Sequence, residues 1–132
     1  RVHQKLNVQA TRILHDSVGL TLSQWRVIAF VGGAGEVIAS ELVKYTAMDK
    51  GLVSRNVKSL IESGLVSSSN HANDSRVHVL SLTQKGQGIF NIALPRMRQR
   101  QEKLAENVSA DDIAAFRRVL EILEKASEGT GI

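Results

Sequence analysis

The chain has 132 residues, about the size of one compact domain, and 42% of them are hydrophobic, 23% are charged and one is proline. This composition is typical of a helix-rich globular protein, and no apolar run approaches the roughly 20 residues that cross a bilayer. The absence of cysteine excludes disulfides and thiolate metal sites within this chain, while the net charge of +4 favours an anionic partner. We expect a cytoplasmic protein, and because residue 1 is not methionine we expect the chain to be part of a longer one.

Two helices are predicted at the start of the chain. Residues 1–18 carry apolar side chains at irregular helical spacing, namely Leu6, Val8, Ile13, Leu14 and Val18. Thr21 and Gln24 have the spacing of a capping box, so a second helix begins there. We expect this helix to end at Gly32-Gly33 and to bury Trp25, Ile28, Ala29 and Val31.

The next segment predicts two short helices joined by a tight turn. Residues 35–38 form a link or a single strand, and residues 40–46 form a brief helix. Asp49 is a good N-cap and Gly64 a natural C-terminal residue for the helix that follows. Its predicted buried stripe is Val53, Val57, Leu60 and Ile61. This arrangement is typical of a helix-turn-helix.

The outer face of the second short helix carries cations and small donors. Its members are Lys50, Gly51, Ser54, Arg55 and Lys58. Short donors near a helix N-terminus, flanked by cations, suit an element that enters a DNA major groove. The alternative is an ordinary solvated cationic face.

A β-hairpin is predicted directly after this helix. Residues 65–69 and 76–82 are β-like runs on either side of the polar loop 70–75. A hairpin in this place is a wing, and Arg76 at its rim is suited to the DNA minor groove, with Asp74 holding the guanidinium. The alternative is a simple Asp–Arg turn pair on a solvent-exposed hairpin.

The C-terminal third predicts two more helices with surplus apolar faces. Thr83 caps a long helix, in which Pro95 produces a bend or a break. The last helix begins near Ser109 and carries Ile113, Phe116, Val119, Leu120 and Leu123. This stripe is too large for one small domain to cover, so we expect it to pair with the first helix and with a second copy of the chain.

Six segments resemble, in order, the MarR-type winged helix-turn-helix transcriptional regulators. They are residues 20–28, 41–43, 48–50 with 53–55, 60–66, 74–76 and 80–86. The resemblance implies a mainly α fold with a small β-wing in a single domain. It further implies a DNA-binding lobe over 20–82, dimerisation helices over 1–19 and 83–132, and an obligate homodimer.

The family's DNA-contacting positions match Lys50, Gly51, Ser54, Arg55 and Lys58 on the recognition helix, and Asp74 and Arg76 on the wing. One departure is Ser67-Ser68-Ser69, where many relatives have a basic residue, so fewer phosphate contacts are expected. Family members often hold a small-molecule effector, and His15, Trp25 and Arg26 are candidates to border such a pocket.

We therefore predict a sequence-specific, double-stranded DNA-binding transcriptional regulator. It is expected to act as a repressor, to bind a pseudo-palindromic operator as a dimer and to be released by a small-molecule effector. No cofactor, metal site or membrane partner is predicted, and the four histidines fall in no metal-ligand spacing. The alternatives are a winged-helix interaction module that does not bind specific DNA, and the N-terminal region of a transferase.

Overall fold

A computed structural model describes residues 1–129 of the chain. The described elements are α1 Val2–Val18, α2 Leu22–Ala34, β1 Glu36–Ile38, α3 Ala39–Thr46, α4 Lys50–Glu62, β2 Val66–His71, β3 Asp74–Leu82, α5 Gln84–Ala105 and α6 Ala110–Glu128. The predicted fold class, mainly α with a small β-wing, is confirmed.

The chain divides into two compact units, Arg1–Met97 and the part from Arg98 onward. The first unit contains α1 to β3 and most of α5, and the second contains the end of α5 and α6. The boundary lies inside α5, shortly after Pro95, and the helix is continuous through that proline. Of the two predicted outcomes at Pro95, the break therefore does not occur. The functional division at residues 82/83 stays a prediction.

The helix starts follow the predicted capping chemistry. In the capping box of α2, the Gln24 backbone N–H donates to Thr21 Oγ1 at 3.1 Å and the Thr21 N–H donates to Gln24 Oε1 at 3.0 Å. Asp49 caps α4 and Ser109 caps α6 with a single bond each, in which the side-chain oxygen accepts from the backbone N–H of Leu52 or Asp112. Each cap satisfies a backbone donor that the helix itself leaves free, so short sequence signals determine where these helices begin.

Thr83 joins the start of α5 to the turn that follows α4. Its hydroxyl accepts from the Gly86 backbone N–H at 3.0 Å, which confirms the predicted cap, and donates to the Gly64 carbonyl at 2.6 Å. The Thr83 backbone N–H donates to the Leu65 carbonyl at 3.1 Å, and Lys85 Nζ donates to the Ser63 carbonyl at 3.2 Å. The two segments are therefore held together by direct hydrogen bonds.

The end of α2 differs from the prediction. The helix does not stop at Gly32-Gly33 but continues to Ala34 and ends at Gly35, whose φ of 86° favours glycine. Gly32 stays helical in close contact with Phe90, since a Cβ there would lie 2.5 Å from the ring Cδ2. Gly32 thus allows α2 and α5 to pack closely, and α2 ends three residues later, at Gly35.

The three strands form one antiparallel sheet in the order β1-β3-β2. Strands β2 and β3 extend further than predicted, so the turn between them is Ala72-Asn73 and the predicted six-residue loop is wrong. A register irregularity at Asn70/His71 accompanies this turn. The Asn73 backbone N–H donates to His71 Nδ1 at 3.1 Å, which stabilises the short connection.

The core of the first unit is built around α2. Val27, Ile28 and Val31 are fully buried and pack in one cluster with Leu14, Leu42, Leu60 and Leu80. On α4, Val53 and Leu60 are buried and Val57 is half-buried, but Ile61 is 40% exposed and does not complete the predicted stripe. At 100° per residue Ile61 lies about 80° around the helix from Val53, at the edge of the buried arc. Val8, one of the apolar positions noted in the first helix, is exposed.

Candidate nucleic-acid interface

Helix α4 is held so that its cationic face points outward. Asp49 Oδ1 accepts from the Leu52 backbone N–H at 2.8 Å, and Val53 and Leu60 bury the opposite side. All five predicted contact residues are exposed, namely Lys50, Gly51, Ser54, Arg55 and Lys58. The structure thus brings them together on one accessible surface, while their roles toward DNA stay predictions.

Gly51 leaves space for the Arg55 side chain. A Cβ at position 51 would lie 3.2 Å from Arg55 Nη1 and 3.3 Å from Asp49 Oδ1. The Arg55 guanidinium therefore lies back along the first turn of α4, in the direction that helical side chains favour. This places its five N–H donors near the N-terminal end of the helix, where contact with base edges is expected.

The wing carries a forked ion pair between Asp74 and Arg76. Arg76 Nε donates to Asp74 Oδ1 at 3.1 Å and Nη2 donates to Oδ2 at 3.2 Å, while the Arg76 backbone N–H also donates to Oδ1 at 3.0 Å. The predicted contact is confirmed. The Arg76 side chain is 89% exposed, so the pair orients its guanidinium without burying it.

Hydrogen bonds from Arg76 hold the pKa of the Asp74 carboxyl below its ordinary value of 3.8. The side-chain bond is the larger cause and the backbone N–H the smaller. A depressed carboxyl pKa means that the ion pair is present at and above the ordinary pKa and is lost as pH falls through the lowered value. We expect carboxyl-detected NMR to show Asp74 titrating below 3.8, and Arg76→Gln to raise its pKa toward that value. An unchanged Asp74 pKa in Arg76→Gln would assign the whole shift to the backbone N–H.

A groove of about 1040 Å³ separates α4 from the wing. We call it the α4–wing groove; it is lined by Ala39, Ser40, Val43, Lys50, Val53, Ser54, Val57, Lys58, Ile61, Glu62, Ser68, Arg76, His78 and Leu80. Its apolar members include the buried Val53 and Leu80, and its cations come from both α4 and the wing. The candidate recognition helix and the candidate wing contact therefore border one continuous surface.

His78, one of the four histidines that fall in no metal-ligand spacing, lines this groove and was not among the predicted contact residues. The signal was the alternation along β3, because residues 76, 78 and 80 of a strand point to the same face. Arg76 was predicted to contact DNA and Leu80 is buried against the core, so the side chain between them faces the same groove.

The three predicted effector-pocket residues do not come together. Trp25 and Arg26 border one open groove of about 430 Å³ with Ala29, Phe30, Tyr45 and Thr46. His15 lies on an exposed stretch of α1 outside this groove, with Nδ1 3.3 Å from Asp16 Oδ1. Sequence reasoning missed Phe30 and Tyr45, whose rings stack with centroids 5.0 Å apart.

Residues 1–129 contain no group of three or more His, Asp or Glu side chains arranged to hold a metal ion. Within the same part of the chain, no helix has both the length and the apolar character to span a membrane.

Helices α3 and α4 with the following β2–β3 hairpin define a winged helix-turn-helix protein. The family model described as "MarR family" matches residues 18–76. The HTH-type transcriptional regulator BilQ of Clostridium symbiosum (strain WAL-14163) is 24% identical over 110 residues, covering 83% of this chain and 76% of that protein.

Two solved structures show the same fold. A MarR/EmrR family transcriptional regulator from Acinetobacter sp. ADP1 aligns with a TM-score of 0.87 at 23% identity, covering 96% of this chain and 89% of that chain. A mutant MarR from E. coli complexed with operator DNA aligns with a TM-score of 0.76 at 24% identity, covering 93% and 91%. Residues 18–76 thus match the MarR family model, and the relatives and solved structures that the chain resembles are transcriptional regulators.

Proposed function

We propose that the protein is a repressor that binds a pseudo-palindromic operator as a homodimer. The observation that carries this proposal is the exposed face of α4, on which the five predicted contact residues lie beside the Asp74–Arg76 pair of the wing. In a dimer the two α4 helices would enter successive major grooves about one helical turn apart. The structurally similar MarR complexed with operator DNA supports this use of the fold.

We assign different tasks to the exposed side chains of α4 and the wing. Gly51, Ser54 and Arg55 are positioned at the helix end that meets base edges, and a guanidinium recognises guanine with two hydrogen bonds. Lys50 and Lys58 contact phosphates, which fixes the register of the helix without reading sequence. The exposed Arg76 guanidinium enters the minor groove.

Dimerisation is supported by α6. No residue of this helix, which lies wholly in the described part of the chain, is buried. Its exposed large apolar side chains are Phe116, Val119, Leu120, Ile122 and Leu123. An apolar stripe of this size on a soluble helix is the kind of surface that a second copy covers.

The regulatory part of the proposal places a small-molecule effector in the groove bordered by Trp25 and Arg26. Aromatic walls and one cationic side chain are a suitable lining for such a ligand. The effector would lower DNA affinity by binding more tightly to a dimer whose half-site spacing does not match one DNA turn.

The decisive experiment selects bound sequences from a randomised duplex library at two salt concentrations, with wild type and Arg55→Ala in parallel. We expect a palindromic motif from the wild type. Arg55→Ala should lose about tenfold to a hundredfold in affinity and relax specificity at one position, since a bidentate base contact contributes about 1–3 kcal/mol. Arg118→Ala, which removes an exposed guanidinium from α6, is the matched control and should bind like the wild type.

The alternative of an interaction module without specific DNA binding predicts a different result. Binding would then be weak, free of any motif and abolished at the higher salt concentration, and Arg55→Ala and Arg118→Ala would behave alike.

A further inference from the structure

The α4–wing groove lies between the two elements that the proposed function brings to DNA, and the inference that follows rests on that function. With α4 in a major groove and the wing in the adjacent minor groove, the α4–wing groove of the protein faces the part of the duplex that separates these two DNA grooves. That separator is one sugar–phosphate strand, because each strand of B-DNA divides a major from a minor groove. A strand of backbone must therefore pass over the space between α4 and the wing.

The chemistry of the groove matches that occupant. Val57 and the 40% exposed Ile61 supply apolar surface above the buried Val53 and Leu80, which suits the carbon face of deoxyribose. Lys58 on α4 suits the phosphate oxygens, and Arg76 on the wing side adds positive charge beside the strand while its guanidinium reaches into the minor groove. The floor of the α4–wing groove is thus apolar and both of its walls carry positive charge. The floor suits the sugar carbons of the strand, and the walls suit its phosphates.

His78 lies within this lining, exposed and on the same face of β3 as Arg76 and Leu80. The charged groups that line the groove with it are Lys50, Lys58, Glu62 and Arg76. Strand β2 contributes Ser68 to the lining, and α3 contributes Ser40 and two apolar residues. Among the lining groups the cations outnumber the carboxylate of Glu62, and Arg76 is itself paired with Asp74.

We propose that the α4–wing groove seats the sugar–phosphate strand between the two DNA grooves, and that His78 donates a hydrogen bond to one of its phosphates as an imidazolium. Histidine is the side chain whose charge changes between pH 5 and 8. A phosphate bound beside the ring favours the imidazolium over the neutral imidazole. DNA binding therefore takes up a proton, and affinity rises as pH falls from 8 to 6.

The test compares wild type, His78→Gln and His71→Gln at pH 6 and pH 8, over a series of salt concentrations. Each is titrated with the selected operator and with a non-operator duplex of equal length. We expect wild-type affinity to rise about threefold to tenfold more than that of His78→Gln on going to pH 6, the size of one charge-assisted contact. The wild-type salt slope should steepen by about 0.9 at pH 6, as one added phosphate contact requires.

His71→Gln is the matched control, because His71 is an exposed wing histidine that does not line the groove. It should keep the wild-type pH dependence. A methylphosphonate placed at each backbone position in turn should abolish the gain at pH 6 at one position per half-site, and only when His78 is present.

Equal pH dependence and equal salt slopes in wild type and His78→Gln would overturn the inference. The non-operator duplex keeps this outcome separate from failure of the proposed function, because a backbone contact does not depend on sequence. Loss of the palindromic motif alone would contradict the operator proposal. Loss of the His78-dependent proton uptake alone would contradict the proposal that His78 contacts a phosphate in the α4–wing groove.

Discussion

Replacing Leu120 with aspartate is expected to produce a folded monomer that has lost about a hundredfold or more of the affinity for a pseudo-palindromic duplex, since joining two half-site contacts raises avidity by about 10²–10⁴. Leu120 is 49% exposed and Phe116 65% exposed on the same face of α6. In the proposed dimer this face is covered, and a carboxylate there would be removed from water without a partner. In a monomer the aspartate stays solvated, so the protomer itself should be little affected.

Light scattering coupled to size-exclusion chromatography measures the assembly, and fluorescence anisotropy measures binding to whole and half operators. Ala114→Asp is the control, because it introduces the same charge on the exposed opposite face of α6. It should remain dimeric and bind like the wild type. A dimeric Leu120→Asp with unchanged affinity would show that the apolar face of α6 does not form the interface.

Gly86→Ala is expected to destabilise the protein by about 3 kcal/mol, at the upper end of the usual cost of overpacking. A Cβ at position 86 would lie 2.0 Å from the Leu65 carbonyl oxygen and 2.9 Å from its carbonyl carbon. These are backbone atoms, so no side chain can rotate away. The start of α5 must then move from the turn after α4, which strains the hydrogen bonds of Thr83 with Gly64 and Leu65.

Gly88→Ala provides the matched comparison, because it lies one half-turn further along α5 and a Cβ there would meet nothing within 4 Å. The alanine should stabilise the helix by up to about 1 kcal/mol through its higher helix propensity. Urea unfolding at one fixed protein concentration measures both free energies, since stability depends on concentration in a dimer. Equal effects of the two substitutions would contradict the close approach at position 86.

The sequence allowed us to predict the features that depend only on residues close together in the chain. The caps at Thr21, Asp49, Thr83 and Ser109 are hydrogen bonds between near neighbours, so their spacing alone identifies them. The outward face of α4 and the Asp74–Arg76 pair follow for the same reason, since helical periodicity and a two-residue separation determine which side chains lie together.

Two of the errors arise where distant segments meet. The prediction ended α2 at Gly32, because the Phe90 ring that packs there is remote in sequence. His15 was grouped with Trp25, although the face that α1 turns toward α2 depends on packing of the whole unit. His78 acquired a candidate role only when β3 was placed opposite α4, because the alternation along β3 puts it on the face of Arg76 but does not show what that face meets.

The hydrogen bonds of Thr83 and Lys85 connect the start of α5 directly to the turn that follows α4. Three backbone carbonyls after α4, those of Ser63, Gly64 and Leu65, accept from this one short segment. A rotation of the first turn of α5 is therefore passed through these bonds to the turn that directly follows α4. Such a connection would let a small displacement along α5 tilt the exposed face of α4 that we propose for DNA binding.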